Sequence, residues 1–291
     1  MTNRQSLTAE YMALFRSLES LRPADSRLFA DSDAALFLSG ARRWLYRAAK
    51  LPGGRRMVEG LLDRASPGAR AAGIARTKWI DDEAEGALGD GGQLVLLGAG
   101  FDMRGLRLAS AARVRVSELD HPETSRAKRA ILKNARRELP GRIRSIETDF
   151  NRQSIADALA NAGYDSSRPT CWIWEGVTNY LPAESVDASL RQIAQTTAGG
   201  SLLIFTYIER EVLDHPARYV GAAKLMERLR SYGEPWTFGL DPGEARSYLA
   251  ARGFVLVKDV GVAEVWDHAG RGSAGTRGYE FYRLACARVG K

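Results

Sequence analysis

The residues best suited to binding a ligand follow a short apolar strand near the middle of the chain. Gly98 and Gly100 come directly after the run Leu94-Val95-Leu96-Leu97. Glycines at the end of such a strand let the main chain approach a ligand, and the N-terminus of the next helix faces the same point. The dinucleotide pattern G-x-G-x-x-G would require glycine at position 103, where the chain has Met103. The loop therefore favours an adenosine ligand without a diphosphate.

Two carboxylates lie at the end of the following strand. Glu118 is 20 residues after Gly98, and Asp120 is 22 residues after it. An acid at this distance lies where the ribose hydroxyls of an adenosine ligand would be, and strand alternation places both side chains on one face. Taken alone, the pair could equally be a charged loop. Because it follows the glycine loop, we favour the ligand.

Two further acids follow strand-like segments. Asp149 could bond the amino group of an adenine while Phe150 packs on its ring, although Asp149 could instead cap a helix that begins at residue 152. Glu175 ends the aromatic segment Trp172-Ile173-Trp174. A carboxylate at the end of a central strand could accept a hydrogen bond from a ligand's ammonium group.

The elements that must position these residues divide into two patterns. Residues 1–88 have helical periodicity, with a helix start predicted at Ser66-Pro67, and form a predicted helical cap. Residues 89–291 alternate between strands and helices, which predicts a mostly parallel α/β sheet of Rossmann-like type. A polar insertion at about 208–237 interrupts this core. A helix is predicted at 152–161, and the last strand is predicted at 279–286.

The overall composition restricts the class of protein. The 291 residues are 45% hydrophobic and contain no apolar run near the roughly 20 residues that span a bilayer. The N-terminal residues do not have the pattern of a signal peptide. We interpret Cys171 and Cys286 as buried, reduced thiols, so we expect a cytoplasmic protein. Two cysteines and three scattered histidines predict no metal site.

The net charge of +7 leaves a nucleic-acid partner open. The basic residues are spread along the chain and mixed with acids, and their densest runs lie at 41–50, 53–60 and 126–144. A solvated helix face is the simpler interpretation of the third run. We therefore expect neither a nucleic-acid nor a membrane partner, and the oligomeric state stays open.

Five blocks, taken in order, resemble the leucine carboxyl methyltransferase family. They are ARTKWID at 75–81, LVLLGAGFDMRGLRL at 94–108, SELDHP at 117–122, TDF at 148–150 and WIWEGVTNYLP at 172–182. The family contains an enzyme that methylates the C-terminal carboxylate of a protein phosphatase, and bacterial O-methyltransferases of natural-product pathways. The resemblance implies a class I methyltransferase fold, with a seven-stranded sheet, an antiparallel last strand and helical additions over the site.

The resemblance also implies S-adenosyl-L-methionine as cofactor, with S-adenosyl-L-homocysteine as product. Arg76 would pair with the methionine carboxylate, and Glu175 would face its amino group. Asp120 would hold the ribose, although Glu118 is an alternative by spacing. The remaining implied contacts are Gly98 along the methionine portion, Asp149 and Phe150 at the adenine, and Tyr180 and Tyr207 as catalytic candidates near the substrate.

The substrate carries over less well than the cofactor. Where the phosphatase-directed enzymes have an arginine for the substrate's carboxyl terminus, this chain has Asn151, followed by Arg152. We expect O-methylation of a small natural-product acid or phenol, under a lid of N-terminal helices and the insertion, lined by Trp236 and Phe238. The alternatives are methylation of a macromolecule, either a peptide carboxylate or RNA, and a non-catalytic cofactor-binding protein.

Overall fold

The computed structural model describes residues 7–89, 91–149 and 153–290 and contains a seven-stranded sheet of order β3-β2-β1-β4-β5-β7-β6. Adjacent strands are parallel except where β7 pairs with β5 and β6. The predicted α/β class, with its antiparallel last strand, is confirmed. The strands are β1 (Gln93–Leu97), β2 (Arg115–Asp120), β3 (Ile143–Glu147), β4 (Thr170–Trp174), β5 (Leu202–Ile208), β6 (Phe254–Gly261) and β7 (Tyr282–Val289).

The central strands are buried on both faces because helices cover the sheet on both sides. Every residue of β1 and of β4 is buried, as expected for continuous apolar runs in a parallel sheet. The helices are α1 (Leu7–Ser20), α2 (Gly40–Ala49), α3 (Gly54–Ala65), α4 (Ala69–Ala87), α5 (Arg104–Arg107), α6 (Pro122–Asn134), α7 (Ile155–Ala160), α8 (Ala183–Thr196), α9 (Arg210–Asp214), α10 (Ala222–Ser231), α11 (Ala245–Ala250) and α12 (Val262–His268).

Three predicted element boundaries were wrong. α4 begins after Gly68, whose positive φ of 79° ends the preceding turn, and not at Ser66. α7 begins at Ile155, where the Ser154 side chain accepts from the Asp157 amide. The last strand begins three residues later than predicted, because its pairing with β5 starts at Tyr282. The aromatic rings just before it stack on each other instead of extending the strand.

α4 joins the N-terminal helices to the sheet. Its later residues Ile80 and Ala84 are buried in the same apolar cluster as Leu94 of β1 and Ile204 of β5. Its earlier residues pack in the cluster that contains α1. The predicted division into a cap of residues 1–88 and a core of residues 89–291 stays a prediction. Among the described residues, no helix combines the length and apolar character needed to cross a membrane.

Candidate active site

A cavity of about 440 Å³ opens at the carboxyl ends of β1, β2 and β4. In an open parallel sheet, ligands bind at this edge, near the point where the strand order reverses. The wall includes most of the residues predicted to bind a ligand. These are Arg76, Gly98, Gly100, Asp120, Asp149, Glu175 and Tyr180.

The glycine loop after β1 is held against the end of β2. The amides of Gly98 and Ala99 donate to the Leu119 carbonyl oxygen at 2.8 and 3.1 Å. Gly98 has a φ of 65°, and a Cβ atom added there would lie 2.5 Å from Val177 Cγ2. Only glycine satisfies both the conformation and this contact. The main chain of the loop can therefore form the cavity wall.

Asp120 is the acid that β2 presents to the cavity. Its carboxylate accepts hydrogen bonds from the Gly100 amide and, at 2.7 Å, from the His121 amide. These bonds fix the carboxylate beside the glycine loop. His121, one of the three histidines of the chain, also lines the cavity.

Glu118 does not line the cavity, so its alternative claim to the ribose is not supported. Its Oε2 lies 2.7 Å from the Lys128 ammonium, and both side chains are buried. The reason is geometric: Glu118 lies two residues earlier on the strand, about 7 Å below the open edge of the sheet. Lying on the same face of a strand was therefore not sufficient to bring both acids to one ligand.

Arg76 and Glu175 form an ion pair in the cavity wall, with 2.7 Å between Arg76 Nε and Glu175 Oε1. The Arg76 guanidinium also lies 5.2 Å from the centroid of the Tyr282 ring. Burial acts to raise the pKa of Glu175, but Arg104 and Arg76 outweigh it and hold that pKa below its usual value. A cation and an anion thus stand side by side, as an amino-acid zwitterion requires.

Arg104 is the residue that sequence reasoning missed. Its guanidinium is buried and contacts the carboxylates of Glu175, Asp102 and Asp81, the last at 2.7 Å. Arg107 shares Asp81, with 2.7 Å between Nη2 and Oδ1. Both Arg104 and Asp81 stand in the family-like blocks, but they are 23 residues apart and no spacing rule joins them.

The two tyrosines predicted as catalytic lie in different places. Tyr180 lines the cavity, and burial raises the pKa of its hydroxyl. Tyr207 does not line it: its hydroxyl donates to Asp259 Oδ2 at 2.6 Å, and its side chain is fully buried. Burial, and then the bond to Asp259, raise the pKa of Tyr207. The structure therefore gives Tyr207 no contact with a ligand in this cavity.

The adenine end of the prediction is described only in part. Asp149 lies in the cavity wall, while Phe150, Asn151 and Arg152 lie outside the described residues. The alternative role of Asp149 as a helix cap is wrong, because α7 is capped by Ser154.

Two segments meet over the cavity. Thr8, Met12 and other residues of α1 form one side, and residues 233–235 of the insertion form the other. The Thr8 hydroxyl donates to Glu234 Oε2 at 2.9 Å across the junction. Trp236 and Phe238 were predicted to line the lid but do not. Trp236 packs edge-on against Phe281 behind it.

Comparison with known proteins agrees with this geometry. The sequence profile described as leucine carboxyl methyltransferase matches residues 9–194. The chain belongs to the leucine carboxyl methyltransferase family.

Two relatives of this family member match most of its length. A Streptomyces coelicolor protein, provisionally named an S-adenosyl-L-methionine-dependent methyltransferase, is 34% identical over 71% of this chain and 70% of its own. A Mycolicibacterium smegmatis protein with the same provisional name is 32% identical over 85% of this chain and 81% of its own. A Thermobifida fusca crystal structure, provisionally titled a methyltransferase, shares the fold with a TM-score of 0.63 and 18% identity. It covers 99% of this chain and 96% of its own.

Replacing Arg104 by Met should destabilise the protein strongly. The variant removes the buried cation that Glu175, Asp102 and Asp81 share, and breaking a buried ion pair costs about 3–5 kcal/mol of unfolding free energy. Urea unfolding measures the change. Arg104→Lys, which keeps the charge but loses the planar fork, should lose less.

Arg126→Met is the matched control, because Arg126 pairs with Glu147 in an exposed bridge. Its unfolding midpoint should match that of the wild type. Equal midpoints for Arg104→Met and Arg126→Met would contradict the role given to Arg104.

Asp120→Asn and Glu118→Gln should separate the two acids of β2. Asp120→Asn should weaken S-adenosyl-L-homocysteine binding about 10- to 100-fold, because hydrogen bonds to a charged acceptor contribute about 1.5–3 kcal/mol. Glu118→Gln should lower the unfolding midpoint, since it leaves the buried Lys128 ammonium without a carboxylate, but should preserve affinity. Isothermal titration calorimetry, at a temperature below the unfolding transition of both variants, measures the affinities. The reverse pattern would assign the ribose to Glu118.

Proposed function

We propose that this family member methylates an oxygen atom, a carboxylate or a phenolic hydroxyl, of a small natural-product-type molecule. It is an S-adenosyl-L-methionine-dependent methyltransferase by its family and relatives. Cys171 and Cys286 are buried free thiols, which supports a cytoplasmic setting. The observation that carries the small-molecule proposal is the cover that α1 and residues 233–235 form over the cavity.

The charges of the cavity fit the cofactor. The Arg76 fork suits a carboxylate, and Glu175, held ionised by Arg104, suits an ammonium group. Asp120 is an acceptor for ribose hydroxyls at the end of β2. Gly100 also suits a ligand, because a Cβ atom there would meet nothing nearer than 3.9 Å and would enter the cavity.

When bound, the cofactor would supply a methyl group on a sulfonium sulfur: the acceptor oxygen would bond to the methyl carbon as its bond to sulfur breaks, and the neutral thioether would leave. The protein's part is then to position the acceptor and exclude water. Tyr180 retains its proton near neutral pH because its pKa is raised, so it can donate a hydrogen bond to an acceptor but cannot serve as a base. The α1 cover limits the entry of solvent.

Glu234 favours the phenolic acceptor over the carboxylate. It lies in the wall on the side of the cover, apart from the strand-end acids. A phenol has a pKa of about 10 and gains from a base, whereas a carboxylate is already ionised near neutral pH and would be repelled by a second one. The Arg16 guanidinium, which could otherwise receive an acidic substrate, is bonded to Asp31 and to the Phe101 carbonyl, each at 2.8 Å.

Glu234→Gln should separate the two acceptor classes. The amide keeps an acceptor for Thr8 but cannot take a proton, so turnover of a phenol should fall about 100-fold or more. Turnover of a carboxylic acid should be unchanged or higher. Transfer of labelled methyl from S-adenosyl-L-methionine to panels of phenols and acids measures both, with the exposed Glu227→Gln on α10 as control.

A macromolecular acceptor is the competing proposal. Methylation of a peptide's C-terminal carboxylate or of RNA, with no transfer to either small-molecule panel, would overturn the proposal. Labelled small-molecule product that stays intact when it is treated with protease and ribonuclease after the reaction would support the proposal.

A further inference from the structure

The α2–α3 hairpin carries a surface that the methyl-transfer site does not use. Large apolar side chains are exposed along it: Trp44 is 68% exposed, Leu51 65%, Met57 65% and Leu61 53%. A soluble surface seldom shows several such side chains close together without a function. Within α2 only Ala49 is fully buried, while Leu45, Tyr46 and Ala48 pack partly against the core, so the opposite side of this helix faces solvent.

The same hairpin concentrates positive charge. Residues 40–65 contain seven arginines and lysines but only two acids, in a chain whose total net charge is +7. Both acids are engaged with neighbouring arginines: Glu59 accepts from Arg22 and Arg55, and Asp63 from Arg70. The exposed cations among the apolar side chains are Arg43, Arg47, Lys50, Arg56 and Arg64.

Charge and apolar groups meet in one groove at the tip of the hairpin. The groove is lined by Lys50, Leu51, Arg55 and Arg56, among others. The exposed residues of α2 are 40, 41, 43, 44 and 47. Apart from residue 41 they recur at the three- to four-residue spacing of one helix face, and the exposed residues 50 and 51 directly after the helix continue that spacing. Cations and apolar side chains are therefore offered to the same partner.

We propose that the α2–α3 hairpin docks on the surface of a membrane that contains anionic phospholipid. Tryptophan, leucine and methionine can enter the boundary between headgroups and acyl chains, while arginine and lysine pair with the phosphates. The positive charge of the hairpin favours an anionic membrane surface as the partner. A second copy of the chain would bring like charges together. A nucleic acid would gain nothing from the three exposed aliphatic side chains.

The hairpin is also tied to the cover of the cavity. Arg42 pairs with Glu10 on α1, and Arg22, just after α1, bonds Glu59 on α3 at 2.9 Å. A docked hairpin therefore holds the helix that closes the cavity close to the bilayer. The proposal departs from the expectation, drawn from the sequence, that the protein has no membrane partner; docking needs no spanning segment.

Vesicle sedimentation of the full chain tests the docking. Binding is expected to vesicles of equal parts phosphatidylcholine and phosphatidylglycerol and not to phosphatidylcholine alone. The triple variant Arg47→Gln/Lys50→Gln/Arg56→Gln should bind about 100-fold more weakly, at roughly fivefold for each lost cation. The control Lys133→Gln/Lys224→Gln/Arg230→Gln removes the same charge from other helices and should bind like the wild type.

The apolar contribution is tested separately. Leu51→Ser/Met57→Ser should weaken binding about tenfold or more, whereas Val255→Ser/Val257→Ser, at exposed positions of β6, should not. The fluorescence blue shift of wild type on vesicles should be lost in Trp44→Phe. Unchanged S-adenosyl-L-homocysteine affinity shows that each variant is folded.

Three results would overturn the proposal. One is equal binding to neutral and anionic vesicles, and another is an equal loss in the control triple variant. The third is binding of an RNA oligonucleotide, weakened by the hairpin substitutions, without binding of vesicles. None of these outcomes bears on methyl transfer, because the hairpin does not line the cavity.

Discussion

The site depends on one buried arginine between two loops of the sheet edge and a helix of the N-terminal region. Arg104, at the start of the short helix after the glycine loop, reaches Glu175 at the end of β4 and Asp81 in the middle of α4. Three separate segments therefore share one guanidinium. Because a guanidinium cannot lose its proton in a protein, Glu175 stays ionised in a place where burial alone would favour its neutral form.

This arrangement sorts the acids of the region by role. Asp81 and Asp102 pair with the buried arginines. Burial acts to raise the pKa of Asp102, but Arg104 outweighs this effect and holds that pKa below its usual value. Glu118 forms an ion pair with Lys128. Asp120 and Glu175 line the cavity, at the ends of the two strands that flank β1. The negative wall suits a sulfonium ligand, and Arg76 is the cation placed for its carboxylate.

Sequence reasoning reached the parts of this account that depend on local order. The glycine loop, the acid ending β2 and the acid ending β4 follow from strand position, and the structure places Gly98, Asp120 and Glu175 in one cavity. It failed where partners come from distant segments. Glu118 is bonded to Lys128 and Tyr207 to Asp259, so neither side chain lines the cavity. Arg104 was not singled out. No periodicity encodes these pairings, because they are decided by how helices pack over the sheet.

The crystal structure of the complex with S-adenosyl-L-homocysteine tests the central claim most directly. In the structure, Arg76 and Glu175 bond each other at 2.7 Å. In the complex we expect this pair to open, with the homocysteine carboxylate on Arg76, its ammonium on Glu175 and the ribose hydroxyls on Asp120, while Arg104 keeps its contact with Glu175. A bound ligand whose amino-acid end lies elsewhere, with the Arg76–Glu175 pair still closed, would contradict it.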